Sequence, residues 1–465
     1  MQKPTYEELA ELVVAQAARI IEQDARIADL ERRLGMNSKN SSTPPSSEGL
    51  AKPSAKSLRK PSGRKPGGQQ GRQGRTLRQV ADPDEIIRHE PSCCKGCGDT
   101  LADAPETRFT RRQVFDLPPV HIRVVEHQLV TRQCGCGTVT TADAPDAVNA
   151  PVQYGPAILA VIVYLYMGQY LSKNRTAKAM AELFNTPVSE GTVGSATARA
   201  ANDLGAFGIA VADRIAAADL AHFDETGFRA AGKLHWLHSA STAMFTWITC
   251  HRRRGKIGMD AARVLPRFTG TAVHDAWAPY DNYRQITHAL CNAHVQRELV
   301  AVTEYHNDNP TASGIESWCW AQQVIDSLLV LKDLAEDSIG PVAPETLAHH
   351  RQAIVHAAHI GVTDSPQGKV GNKHRALARR LIRRIEDYLR FATDPIVPWD
   401  NNPAEREIRM PKLRQKVSGG MRTLTGAEHF AALRSYIATT GKHGITTIDA
   451  LTRLTTRNPW IPEMT

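Results

Sequence analysis

Three acidic residues and two cysteine pairs are the positions whose types and spacing could do chemistry. Asp224 closes the apolar run Leu220-Ala-His-Phe-Asp224, and Asp275 closes Gly270-Thr-Ala-Val-His-Asp275. Both read as carboxylates at strand ends. Two strands of one sheet can hold such carboxylates close together, where their like charges are tolerable only with cations between them. Magnesium takes a few oxygen ligands and keeps waters, which suits Asp224, Asp275 and a third acid. Two such ions would activate a water or a terminal hydroxyl and stabilise the leaving oxygen during in-line attack on phosphorus. An Asp at a strand end is, taken singly, more often a turn or a cap. The third acid is Glu405, in Asp400-Asn-Asn-Pro-Ala-Glu405. Asn402, Pro403 and Glu405 fit the N-cap, N1 and N3 positions of a helix, so Glu405 fits a capping box as well as a metal ligand.

Cys94-Lys-Gly-Cys97 and Cys134-Gly-Cys136 flank a stretch of alternating character, Arg108 to Arg132, that reads as β. Two Gly-rich pairs around a β segment suit a structural zinc held by four thiolates, with Cys93 able to replace Cys94 and reduced, unliganded thiols as the other reading. Such an ion would hold a small domain together and do no chemistry, having no open coordination position.

The elements that must position the acids follow from periodicity. Leu220–Gly227, Lys233–Ala243 and Met244–Arg252 read as consecutive strands, Gly258–Leu265 as a helix, and Gly270–Asp275 and His288–Cys291 as two more strands before a helix from Ala293. This predicts a mixed sheet whose first and fourth strands are neighbours. Residues 310–390 read as an all-α insertion, with Trp318, Trp320, Leu328, Leu329, Leu331 and Leu334 on apolar faces and a basic stretch from Arg375 to Arg384. Arg175 to Leu204 reads as helix, turn, helix with Ser189 as N-cap, a shape shared by DNA-reading motifs and plain packing hairpins. Near the N-terminus Tyr6, Leu9, Val13, Ile20, Ile27, Leu30 and Leu34 keep a seven-residue rhythm, which predicts a short coiled coil and self-association.

Charge points to a polyanion. The chain has 465 residues and a formal net charge of +9, and Leu50 to Ala81 holds basic residues with no acid. This stretch, with Arg59, Lys60, Arg64, Lys65, Arg72 and Arg75, is too polar for a core and suits DNA phosphates. Arg406, Arg409 and Lys412, with Arg414 and Lys416, form a second basic face beside Glu405. The longest apolar run is too short for a bilayer and no signal peptide is evident, so a cytoplasmic, nucleoid-associated protein without membrane partners is expected.

The order of these features resembles transposases of the insertion sequence 66 type, in the DDE superfamily, over nearly the full chain. The most specific segments are His222-Phe-Asp224-Glu-Thr226, His274-Asp275-Ala-Trp-Ala-Pro-Tyr280, Cys291-Asn-Ala-His294-Val-Gln-Arg297 and Asn401-Asn-Pro-Ala-Glu405-Arg-Glu-Ile-Arg409. The resemblance implies a multidomain α+β protein with a ribonuclease H-like core and a catalytic triad of Asp224, Asp275 and Glu405 holding magnesium or manganese, two ions in all. It implies cleavage at element ends and strand transfer into target DNA; a nuclease without strand transfer and a non-catalytic DNA-binding derivative are the competing functions. Cys291 and His294 resemble the C-x-x-H element that follows the second acid in several DDE transposase groups, and are read as a buried structural pair in preference to a zinc site. The expected division is a coiled-coil helix (1–36), a basic linker (37–82), a zinc-binding domain (83–148), a helix-turn-helix-like domain (149–207), a catalytic core in two parts (208–305 and 392–440) around a helical insertion (306–391), and a tail (441–465). The partners expected are DNA, further copies of the chain through the N-terminal helix, and companion proteins encoded by the element. Arg-Met-Pro411-Lys is expected to break or kink the Glu405 helix.

Overall fold

The structure, a computed structural model, describes residues 77–118, 120–308 and 318–463 together with Gln16, Arg19, Ile20, Gln23, Arg26 and Ile27. Those six isolated positions are helical and exposed. The rest of the heptad segment, and the linker residues Arg59, Lys60, Arg64, Lys65, Arg72 and Arg75, lie outside the described residues. The chain divides into two compact units, Leu58–Arg123 on one hand and Met1–Ser57 with Val124–Thr465 on the other.

In the smaller unit, an isolated bridge pairs Cys93 with Thr100, and Arg111 and Gln113 donate hydrogen bonds to the Val80 carbonyl at 2.7 and 2.9 Å. The β segment expected between Arg108 and Arg132 is not formed: among the described residues the first strand, β1, spans Thr131–Gln133. Alternation signals a strand only if a neighbour covers its apolar face, and here Val114 and Leu117 stay 92% and 89% exposed. In the larger unit β1 pairs antiparallel with β2 (Val139–Thr141).

Between β2 and the main sheet lie α1 (Pro156–Val163), α2 (Lys173–Phe184), α3 (Glu190–Asn202) and α4 (Gly205–Ala216). Asn185 ends α2 in the left-handed conformation, and Ser189 caps α3 by accepting the Thr192 N–H at 3.0 Å. The exposed positions of α3 include Glu190, Ser195 and Arg199, one acid and one base, which is little positive charge for a helix facing phosphates.

The main sheet comprises β3 (Leu220–Ala230), β4 (Lys233–Ser241), β5 (Thr246–His251), β6 (Thr271–His274) and β7 (Thr287–Leu290), with α5 (Lys256–Ala261) between β5 and β6. Its spatial order is β5-β4-β3-β6-β7. The first three strands are antiparallel, and β6 and β7 continue parallel beside β3, so the first and fourth strands are neighbours as periodicity suggests. The backbones approach closely where β6 begins: a Cβ at Gly270 would lie 2.5 Å from the carbonyl oxygens of both Ala218 and Asp219, so only glycine fits.

Beyond β7 most of the described residues are helical. The chain forms α6 (Asn292–Asp308), α7 (Trp320–Asp337), α8 (Pro344–Thr363), α9 (Gly368–Arg383) and two short turns, α10 (Ile385–Tyr388) and α11 (Arg390–Thr393). Their core contains Trp320, Leu328 and Leu331. Trp318 and Leu334, expected on apolar faces, are instead exposed. Along α9, Arg380 pairs with Glu298 at 2.7 Å and Arg375 donates to the Ser365 carbonyl at 2.9 Å, whereas Arg379 and Arg383 are exposed.

The last helices are α12 (Asn402–Ser418), α13 (Leu424–Lys442) and α14 (Thr447–Thr455). α13 docks on β5, where Ser435 Oγ and Thr439 Oγ1 accept the Ile248 and Thr246 N–H groups at 2.8 and 3.0 Å. The stretch read as a tail contains α14, whose Ala450, Leu451 and Leu454 are fully buried and whose Thr455 hydroxyl donates to Pro156 O at 2.9 Å. α12 does not stop at Pro411; it runs through it. Proline removes one helical hydrogen bond and crowds the preceding turn, but Pro411 and its helix neighbours Ile408 and Arg414 are buried, and this packing carries the helix past it. Among the described residues no helix is long and apolar enough to cross a membrane.

Candidate active site

The parallel pairing of β3 with β6 determines where two of the acids stand. The last registered pair is His222 with Val273. Asp224 and Asp275 each follow it by two residues, and in extended chain a two-residue step returns to the same face. Both carboxylates are therefore delivered to one end of the parallel pair. Asp224 Oδ1 accepts its neighbour Glu225 N–H at 2.8 Å, and Asp275 Oδ1 accepts the Trp277 N–H at 3.1 Å. Burial, then the negative charges of Glu225, Asp275 and Glu405, push the Asp224 carboxyl well above the usual carboxylate range. Burial likewise raises Asp275. Two acids held this way favour a proton or a cation between them.

Glu405 arrives on α12 by a different device. The helix starts one residue earlier than the sequence suggests, with Asn401 as N-cap and no side-chain cap, so Glu405 is not in a capping box. The buried Asn401 side chain instead crosses to β3, where Nδ2 donates to Phe223 O at 2.8 Å and Oδ1 accepts from His222 Nδ1 at 2.9 Å. That arrangement assigns His222 its Nδ1–H tautomer, and burial keeps the ring neutral by lowering its pKa. The Asn401 N–H points to Cys291 Sγ at 3.2 Å, and its carbonyl accepts the Glu405 N–H at 3.1 Å. One asparagine thus ties the start of the Glu405 helix to the strand carrying Asp224. The Glu405 carboxylate lies 3.5 Å from Arg297 and 3.6 Å from His294 Nδ1. Burial raises its pKa and Arg297 opposes the rise. Among the described residues the donor atoms of Asp224, Asp275 and Glu405 do not all come within 4.8 Å of one another; those of Cys291, His294 and Glu405 do.

Sequence reasoning missed a second buried acid. Glu225 accepts Arg254 at 2.8 Å and the Tyr280 hydroxyl at 2.9 Å, while the Arg254 guanidinium lies 3.9 Å over Trp277 and 4.9 Å over Trp236. Burial and then Asp275 push its carboxyl to about 7 in spite of Arg254. This network clamps the segment after Asp275 to β3. Beneath it His274 stacks on Tyr280 with ring centroids 4.2 Å apart and its Nε2 meets His288 Nδ1 at 2.9 Å; burial drops the His274 pKa to about 3. The legible signal was Tyr280 itself, five residues beyond Asp275 in a segment rich in aromatics.

Of the basic face predicted on α12, Arg406, Arg409 and Lys416 are exposed and Lys412 is half-buried, with Lys412 close enough to Asp224 for their charges to attract. Arg414 departs from the prediction: it is buried, donates to the Tyr166 hydroxyl at 3.0 Å and packs over Tyr166 and Phe430. The helical period turns it to the inner side of α12.

The cysteine pairs sit on tight turns. Gly98 and Gly137 take left-handed φ values of 84° and 91°, Cys94 Sγ accepts the Gly96 N–H at 3.4 Å, and Cys136 meets the Thr138 hydroxyl at 3.2 Å. That hydroxyl lowers the Cys136 thiol to about 7. Thiols set among backbone N–H groups and a hydroxyl at such turns are suited to act as thiolate ligands.

Comparison with known families gives three matches. The family described as Transposase IS66 family matches residues 151–429, a span that holds Asp224, Asp275 and Glu405. The zinc-finger binding domain of transposase IS66 matches residues 91–137, a span that holds both cysteine pairs. A family of unknown function matches residues 2–78. No curated protein matches the chain.

Proposed function

The chain belongs to the Transposase IS66 family, and we propose that it is a DDE enzyme that cleaves DNA at the ends of a bacterial insertion sequence and joins those ends to target DNA. The observation that carries this reading is the register of β3 and β6, which brings Asp224 and Asp275 to one end of the parallel pair while Asn401 fastens the Glu405 helix to β3. The sheet order, three antiparallel strands followed by two parallel ones, supports a ribonuclease H-like core.

Asp224, Asp275 and Glu405 are the proposed ligands of magnesium or manganese, in a two-ion centre. The donor set fits: the carboxylates are hard oxygen ligands whose charges a divalent cation would balance. When bound, the ions would lower the pKa of a water or terminal hydroxyl and neutralise the charge developing on phosphate oxygens. The chain's own residues supply position. Asn401 holds the Glu405 helix, the Glu225–Arg254–Tyr280 network holds the segment carrying Asp275, and Arg406, Arg409 and Lys412 receive phosphates beside the acids. The zinc-finger match supports structural zinc on Cys94, Cys97, Cys134 and Cys136. DNA is the partner, bound also by Arg59, Lys60, Arg64, Lys65, Arg72 and Arg75; the N-terminal helix would assemble copies of the chain, with companion proteins from the same element taking part in a cytoplasmic, nucleoid-associated reaction.

The test is excision and integration of a marked element in cells supplying the companion proteins, with Asp224→Asn, Asp275→Asn and Glu405→Gln at matched protein levels. Loss of both steps in all three, with DNA binding kept, is expected. Cutting without joining by the wild type would make the protein a nuclease, and binding without either would make it a non-catalytic derivative.

A further inference from the structure

The closest convergence of metal-ligating side chains among the described residues is not the acidic triad. Cys291 Sγ, a His294 ring nitrogen and a Glu405 oxygen all lie within 4.8 Å of one another. The first two are brought together by the opening turn of α6, where the His294 N–H reaches Cys291 O at 3.2 Å; the third comes from α12.

The pocket is built, and it is one partner short. His294 Nδ1 is enclosed and has no hydrogen-bond partner; Glu405 Oε1 stands 3.6 Å away, too far for a hydrogen bond. A buried ring nitrogen without a partner is a standing cost that a bound ion removes. Cys291 is buried, and its sulfur already accepts the Asn401 N–H at 3.2 Å, the kind of outer contact that steadies a metal-bound thiolate. Arg297 offers a similar contact to Glu405 at 3.5 Å.

From this geometry we infer that Cys291, His294 and Glu405 form a site for one divalent cation of the zinc class. One sulfur, one nitrogen and one oxygen suit a borderline-soft ion and do not suit magnesium. On binding, the Cys291 thiol releases its proton to solvent; thiolate and carboxylate then balance the two positive charges, and three protein ligands leave one position open. The site has a consequence that rests on the reading of Glu405 as the third acid. Zinc at this place draws the Glu405 carboxylate towards α6, so it competes with the magnesium centre for that residue.

The experiment counts zinc bound per full-length chain after exhaustive dialysis, in the wild type and in Cys291→Ser and His294→Gln. The variants are expected to bind one equivalent less, and the cobalt-substituted wild type to show a sulfur-to-cobalt charge-transfer band that drops by one thiolate's share in Cys291→Ser. An unchanged count in folded variants overturns the site. Should the variants not fold, X-ray absorption of the zinc-loaded wild type decides: a zinc shell with nitrogen and oxygen beside sulfur supports the site, and an all-sulfur shell overturns it. Competition is read separately as manganese binding with and without zinc. Zinc should weaken manganese binding in the wild type and not in Cys291→Ser. If Asp224 and Asp275 prove not to hold manganese at all, the triad reading fails while the zinc count still decides this site.

Discussion

Replacing Asn401 by alanine removes both side-chain bonds that join the Glu405 helix to β3, those to Phe223 O at 2.8 Å and to His222 Nδ1 at 2.9 Å. All three residues are buried, so the carbonyl and the imidazole N–H lose their partners with no water to replace them. An orphaned buried polar group costs about 1–3 kcal/mol, so with two of them Asn401→Ala should destabilise by about 2–6 kcal/mol. Asn401→Asp should not rescue it, because a carboxylate oxygen would face the Phe223 carbonyl in place of a donor. The assay is chemical denaturation followed by tryptophan fluorescence, in a double-mutant cycle with His222→Ala. Since both single variants remove the same bond, the double variant should cost less than the sum of the two by about 1–2 kcal/mol. A cost under about 1 kcal/mol for Asn401→Ala, or strict additivity with His222→Ala, would refute the idea that this asparagine fastens helix to strand.

Three further outcomes are expected. In the metal-free protein the folded-state pKa values of Asp224, Asp275 and Glu405 are raised and that of Glu225 reaches about 7; the folded state therefore holds more protons than the unfolded one, and stability falls as pH rises from the ordinary carboxylate range through the raised values. A bound cation displaces those protons, so the rise in Tm on adding manganese should be larger near about pH 7.5 than near about pH 5, and equal rises would count against a carboxylate site. The β3–β4 turn uses Ala231 at φ 50° with Gly232 at φ 75°, the pattern of a two-residue hairpin that favours Asn-Gly; Ala231→Asn should stabilise by roughly 0.5–1 kcal/mol in the same denaturation assay. Neutralising Arg406 and Arg409 together should weaken DNA binding alike for all sequences and lower the salt-dependence slope by about two, as read from affinities over a salt series.

The sheet was largely legible because its strands are apolar runs set off by turn residues; Asp275 does follow the end of its strand, but Asp224, read as a strand end, lies mid-strand, since β3 runs on to Ala230 in its hairpin with β4. Where the same alternation occurs without a partner, between Arg108 and Val130, it misleads: pattern reports which faces could be buried, and pairing decides whether they are. Helix ends shifted, from Gly258–Leu265 as read to Lys256–Ala261 in the structure, and at Asn401 a single residue matters, since moving the N-cap from Asn402 removes Glu405 from a capping box. The Asn401–His222 contact joins positions 179 residues apart, and no local propensity signals a buried polar pair at that separation. Glu225 was hidden for a related reason. Beside Asp224 it reads as one more surface acid, and only the fold brings Arg254 and Tyr280 to it. Arg414 shows the reverse error, a basic residue read as solvated that lies buried against two aromatic rings.

The most direct test of the central claim is manganese binding, followed by paramagnetic resonance, to the wild type and to Asp224→Asn, Asp275→Asn and Glu405→Gln. Either Asp variant is expected to abolish binding and Glu405→Gln to weaken it, with far-ultraviolet circular dichroism unchanged. Wild-type affinity for manganese in the Asp224→Asn/Asp275→Asn double variant would contradict that claim.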